Sequence, residues 1–226
     1  MTEIKNFQIL KSSIDQKTLD EMCNEMDTVI KTVSIHPGRR DSDIQRYKVH
    51  KNSSPDLVCH KWIASTLSQF KFFDDQITSL TAYVRQVSSN GLHTDHNPRE
   101  GEGFTLLLPL RDIEKDDCTV VFNHSTASKA IINLKQSMFI IRNQIKNNPS
   151  RNHIDRYKLY HLPKWADQLD LLDVFPYRLG DAVLFKGHLL HCSNDWKKIN
   201  PNRKHKDYLL VHTRPVNSLA YEETHY

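Results

Sequence analysis

From about residue 78 to residue 214 the chain is cut into short stretches of β-formers closed off by turn residues, and few folds accept that texture. Residues 80–87 (LTAYVRQV) alternate as a strand does, and Ser88-Ser89-Asn90-Gly91 is a turn. Residues 104–110, 119–122, 137–142, 181–185 and 208–214 read as further strands. Ahead of them, Ile14, Leu19, Met22, Met26, Val29, Ile30 and Val33 recur at near-helical spacing, with Asp15 placed to cap the helix. A second helix is predicted over about 55–73 through Leu57, Trp62, Ile63, Leu67 and Phe70, after a loop at 36–41. Two helices followed by many short strands predict a mainly β domain with flanking helices. The architecture expected is a β-sandwich or double-stranded β-helix (jelly-roll, cupin-like) barrel.

At 226 residues one domain is expected, divided into helical support (1–77), a β core (78–142 and 179–214) and an insertion. The insertion, 143–178, lacks alternation and carries Tyr157, Tyr160, Trp165 and Tyr177, which suit an ordered lid. With 38% hydrophobic residues the chain can bury a core, and its mean hydropathy is −0.60. No apolar run is long enough to span a membrane, and the N-terminus has no signal-like stretch, so cytoplasmic residence is expected. The net charge of +4 comes from 31 basic and 27 acidic residues, interleaved. The basic stretch 197–206 and the pair Arg39-Arg40 could meet a phosphate backbone, but a solvated surface is the plainer reading and nucleic acid is not favoured. Cys23, Cys59, Cys118 and Cys192 are dispersed, which argues against a zinc cluster and against a disulfide scaffold.

His93-Thr94-Asp95 carries the chemistry. Side chains two apart on an extended strand point to the same side. A third ligand from a distant strand, drawn from the segment GHLLHCSN at 187–194, would complete one face of an octahedral metal and leave the opposite face open. That donor set is the 2-His-1-carboxylate facial triad of non-haem Fe(II) oxygenases. The open positions suit a chelating 2-oxo acid and dioxygen. A distal carboxylate on the 2-oxo acid then needs a fixed cation, and guanidinium binds it bidentately, which makes Arg203 the candidate.

The order His93-x-Asp95, then Gly180-Asp181 opening a strand that leads to His191-Cys192-Ser193-Asn194, then Arg203, resembles the Fe(II)/2-oxoglutarate-dependent dioxygenases. The second segment is most similar to the phytanoyl-CoA hydroxylase-like branch. The similarity spans roughly residues 80–214. It implies Fe(II) held by His93, Asp95 and His191, and 2-oxoglutarate held by Arg203 with help from Ser193, with Lys204 and Lys206 as the fallback cations. It also implies O2-dependent hydroxylation of a C–H bond with release of succinate and CO2. A small molecule or a peptidyl side chain is the expected substrate. Arg214 could suggest the nucleobase-demethylating branch, but residues 204–213 lack that branch's pattern. His191 arrives ten residues after Asp181, which favours it over its rival His188. Tyr83, Arg85 and Thr105 lie on strands expected to line the barrel, while His96 and His124 read as exposed or outer positions. Two alternatives stand beside the oxygenase: a non-catalytic jelly-roll binding module, and a cupin-type metal enzyme that does not use 2-oxoglutarate. The second would draw extra ligands from His96, Glu100 or Glu102.

Overall fold

In a computed structural model, the protein is described over residues 6–32, 44–49, 56–70, 75–95, 103–125 and 134–216. The loop expected at 36–41, with Arg39 and Arg40, lies outside the described residues, as do His96, Glu100 and Glu102. The described strands build two antiparallel sheets. Strands β1 (Phe7–Leu10), β2 (Ile44–Lys48), β3 (Gln76–Gln86), β4 (Phe104–Arg111), β7 (Ala182–Lys186) and β9 (Lys206–Pro215) form the larger, in the order β1-β7-β4-β9-β3-β2. Strands β5 (Cys118–Ser125), β6 (Leu171–Pro176) and β8 (Leu189–Ser193) form the smaller, in the order β6-β5-β8. His93 bridges to His191 and so extends the smaller sheet by one short segment.

Alternation along the strands sorts residues between two faces of the large sheet. Ala82, Val84, Val183, Phe185, Tyr208 and Leu210 pack inward between the sheets. Tyr83, Leu106, Leu108, Leu184, Leu209 and Val211 pack outward, under the helices. Those helices are α1 (Gln16–Thr32) and α2 (Val58–Leu67), the two that the sequence predicts. Asp15 caps α1 as expected, accepting from Thr18 N at 2.9 Å. Helix α2 starts at Leu57, which offers no side-chain cap. Instead Glu25 of α1 accepts from Val58 N at 2.6 Å, from Cys59 N at 3.3 Å and from the Tyr83 hydroxyl. One carboxylate therefore ties both helices to β3. Glu25→Ala is expected to lower stability by about 2–4 kcal/mol, because it orphans helix donors and a buried phenol. Urea unfolding monitored by circular dichroism would read the shift.

Three sequence expectations change. Residues 137–142 are helical, within α3 (Leu134–Ile145), and not a strand. Ile141 and Ile145 are buried beneath it, at the four-residue spacing of a helix face. The stretch 143–178 is not all insertion, since β6 pairs along β5 from Cys118↔Pro176 to Phe122↔Leu171. Leu159, Leu162, Ala166 and Leu169 are buried against the outer face of the small sheet with Val120, Phe122 and Cys192. Finally, β1 and β2 add two strands to a region expected to be helical support.

Candidate metal centre

The turn after β3 brings residues 90–95 back across the mouth between the two sheets. His93 and His191 form a hydrogen-bonded antiparallel pair: His93 N donates to His191 O at 3.0 Å and His191 N to His93 O at 2.9 Å. Asp95 N donates to Gly187 O at 2.9 Å. The backbone is thus fixed on both sides of Thr94, and the side chains of His93, Asp95 and His191 converge, with one donor atom of each within 4.8 Å of the others. His188 is not part of this group; it sits in the turn between β7 and β8, three residues before His191.

The tautomers suit metal binding. Nδ1–H of His93 donates to Gly91 O at 2.7 Å, and Nδ1–H of His191 donates to Leu189 O at 2.9 Å. Each Nε2 is then the nitrogen left to bind a metal, and both face Asp95, at 3.7 Å from Oδ1 for His93 and 3.2 Å from Oδ2 for His191. Bonds of about 2.1 Å at right angles separate neighbouring donors by about 3 Å, so a six-coordinate divalent ion fits with small adjustments. Asn90 Nδ2 meets His93 Nε2 at 3.1 Å, and would turn aside for a metal. Thr105 Oγ1 donates to Asp95 Oδ2 at 2.8 Å, and His212 Nε2 lies 3.6 Å from Oδ1, so the carboxylate is oriented from the large sheet.

Burial and the three histidines pull Asp95 in opposite directions. Burial pushes its carboxyl up, but His191, His212 and His93 outweigh this and hold it well below the usual range. Burial, reinforced by His191, pushes His93 down to about 4, which keeps it neutral as a ligand must be. His191 moves the other way: burial would lower it, yet Asp95 raises it.

The cavity that these three side chains help to line is also walled by Gln86, Ser193, Thr119, Tyr177, Tyr208 and Leu210. Ser193, predicted at the site, is there: its hydroxyl accepts from Asn90 N at 2.8 Å and Gln86 Nε2 at 3.3 Å. Thr105, for which ordinary packing or a surface role is the plainer expectation from sequence, also lines the cavity. Tyr83 and Arg85 do not, since they occupy the outer face of β3, where Arg85 pairs with Asp207 at 2.9 Å. His124 is partly buried on β5, with its Nε2 accepting from Asp170 N at 3.0 Å.

Arg203 is not brought to the cavity. Its guanidinium is buried against Asp117, at 2.9 Å to Oδ1 and 2.8 Å to Oδ2, and also donates to Asp112 O. Arg203→Met should therefore act on stability, costing about 3–5 kcal/mol by stranding a buried carboxylate. Calorimetric binding of 2-oxoglutarate to the folded protein should survive the change.

Lys206, by contrast, has the phase of the inward face of β9. It shares a face of β9 with Tyr208, Leu210 and His212 and pairs with Gln86 across the sheet. It is fully buried, and among the described residues its Nζ meets no hydrogen-bond acceptor. That Nζ lies 4.7 Å from the centre of the Tyr177 ring and 5.9 Å from Trp196. Burial pushes the amine down to about 8, against the pull of Asp117. A second grouping, Asp112, His205 and Asp207, also brings ligand-type atoms together. There Asp207 is already held by Arg85 and Arg111, which makes it an ion-pair network.

By sequence the chain matches no protein-family model and no curated protein. By structure it is similar to HygX from Streptomyces hygroscopicus with nickel and 2-oxoglutarate bound, at TM-score 0.58 and 13% identity, over 94% of this chain and 83% of that one. It is similar to the non-haem alpha-ketoglutarate-dependent epimerase SnoN from nogalamycin biosynthesis, at TM-score 0.56 and 10% identity, over 93% and 78%. It is also similar to AviO1 from Streptomyces viridochromogenes Tue57, at TM-score 0.53 and 14% identity, over 95% and 91%. The chain has the double-stranded β-helix fold. Its large sheet carries β7-β4-β9-β3 at the centre, and its small sheet is β6-β5-β8 with the His93 bridge. Among the described residues no helix is long and apolar enough to cross a membrane.

Proposed function

We propose that this protein is an Fe(II)/2-oxoglutarate-dependent oxygenase that hydroxylates a C–H bond of a small molecule. The convergence of two Nε2 atoms and one carboxylate on the wall of one cavity carries the reading. Support for the cofactors comes from similar structures: HygX is known with nickel, 2-oxoglutarate and hygromycin B, and SnoN with Fe3+, alpha-ketoglutarate and nogalamycin RO. Bound at this site, Fe(II) with 2-oxoglutarate would direct one oxygen atom of O2 into succinate and the other into the substrate, releasing CO2.

The chain's own residues do the rest. His93, Asp95 and His191 hold the metal through atoms whose orientation Gly91 O, Leu189 O and Thr105 Oγ1 already set. Lys206 meets the distal carboxylate of the cosubstrate, in the role the sequence reading gives to Arg203. Ser193, Gln86 and the hydrogen-bonded Thr119–Tyr177 pair supply polar contacts along the path between them. Phe185, edge-on to His191 at 4.8 Å between ring centres, and Leu210 keep water away from the ligands.

Anaerobic titration of metal-free protein with Fe(II) and then 2-oxoglutarate should produce the weak visible charge-transfer band of the chelate. The band should vanish in His93→Ala; a folded wild-type protein showing no band would refute the proposal. Mass spectrometry of the product then separates reaction types. Hydroxylation adds an oxygen atom to the substrate, whereas the epimerase and carbocyclase outcomes named for SnoN and SnoK add none.

A further inference from the structure

One arginine, Arg46, is among the residues that wall the cavity. Tyr47 of β2 packs outward beneath the helices, while Ile44 packs inward between the sheets. Alternation places Arg46 on the inward face with Ile44, and Arg46 lines the cavity wall near its mouth, solvent-exposed where Lys206 is buried. It walls the same cavity as His93, Asp95 and His191.

Three other arginines, Arg85, Arg111 and Arg203, are already committed. Arg85 and Arg111 hold Asp207, and Arg203 holds Asp117. Among the described residues no carboxylate pairs with Arg46, and Asp95 is the one carboxylate on the cavity wall. Charge counting sharpens the point. A divalent metal and Lys206 together balance Asp95 and the doubly negative 2-oxoglutarate, so the loaded site is neutral before Arg46 is included. Arg46 leaves an unbalanced positive charge where a substrate would approach.

We infer that Arg46 binds an oxyanion of the substrate, a carboxylate or a phosphate, so that the substrate is an anionic small molecule. A guanidinium presents two parallel N–H donors to either group, which orients the ligand as well as attracting it. The inference rests on the oxygenase reading above, and the experiment separates the two.

The test loads the protein with Mn(II) and saturating 2-oxoglutarate and adds inorganic phosphate as probe. Relaxation of the 31P signal by the paramagnetic ion reports anion held near the metal even when affinity is weak. Wild type should accelerate relaxation saturably, Arg46→Met should lose at least tenfold of the effect, and Arg46→Lys should keep part of it. Acetate, followed by proton relaxation, is the parallel probe, and the anion drawn in more strongly names the group. Equal relaxation in wild type and Arg46→Met, or none in wild type, overturns the inference. So does a tenfold loss of 2-oxoglutarate affinity in Arg46→Met, which would reassign Arg46 to the cosubstrate. A protein that takes up neither Mn(II) nor 2-oxoglutarate fails at the oxygenase reading, and both fall.

Discussion

Asp95→Ala should bind no Fe(II) at concentrations that saturate wild type, and should release no succinate from 2-oxoglutarate. Asp95 is the single anion in the donor set, and it is the charge that the burial of His93 and His191 is arranged around. Without it, two neutral imidazoles would have to hold a divalent ion in a largely dry site, where uncompensated charge is costly. The fold should persist, because the backbone bond from Asp95 N to Gly187 O does not depend on the side chain. Metal content after gel filtration, read beside the near-ultraviolet circular dichroism of the same sample, checks both halves. Stoichiometric iron in a folded Asp95→Ala protein would remove the carboxylate from the ligand set.

Lys206→Met should do two opposite things: abolish discrimination for the distal carboxylate, and stabilise the ligand-free protein. Folding buries an amine that finds no acceptor, and the displacement of its pKa from 10.5 to about 8 records the penalty. Between those values the unfolded chain binds more protons than the folded one, so stability contributed by this site rises as pH rises from about 8 to 10.5. Below pH 8 the full penalty applies, and replacing the amine by an apolar side chain of similar length should recover on the order of 3 kcal/mol there. The gain should shrink with rising pH and vanish above the unfolded pKa. On the binding side, wild type should prefer 2-oxoglutarate over 2-oxobutyrate, which lacks the distal carboxylate, by a hundredfold or more. Lys206→Met should bind both alike. A purely structural lysine would give the opposite pattern, with stability falling on replacement and discrimination intact.

The convergence of His93, Asp95 and His191 is legible in the sequence, because a two-residue period and a strand-borne histidine are properties of short segments. The choice of cation is different. Arg203 and Lys206 sit three apart in one basic stretch, and only the phase of β9 tells them apart. Reading the last strand from 208 leaves Lys206 outside it; extending it two residues back puts Lys206 in step with Tyr208 and Leu210 and points it inward. Arg203, before the strand, is free to turn toward Asp117, a partner invisible in sequence because it is 86 residues away. The misread helix at 137–142 has another cause. Met138-Phe139-Ile140-Ile141 is a four-residue apolar run, compatible with either period, and the burial of Ile141 and Ile145 that decides the matter depends on the small sheet beneath. Likewise β1 and β2 are edge strands of only 4 and 5 residues, whose pairing comes from β7 and β3 rather than from their own pattern.

The mutual backbone bonds of His93 and His191 make the metal centre a property of strand phase as much as of side-chain identity. Sliding that pairing by one residue would turn His93 and Asp95 together to the far side of their segment, leaving every ligand in the chain and none in the site. Changes in the length of the turn at 88–91 that alter this phase should therefore be as damaging as loss of a histidine. Insertions beyond Asp95 that leave the pairing untouched should be borne without loss of metal binding, so that length can vary there while the phase of the pairing stays fixed.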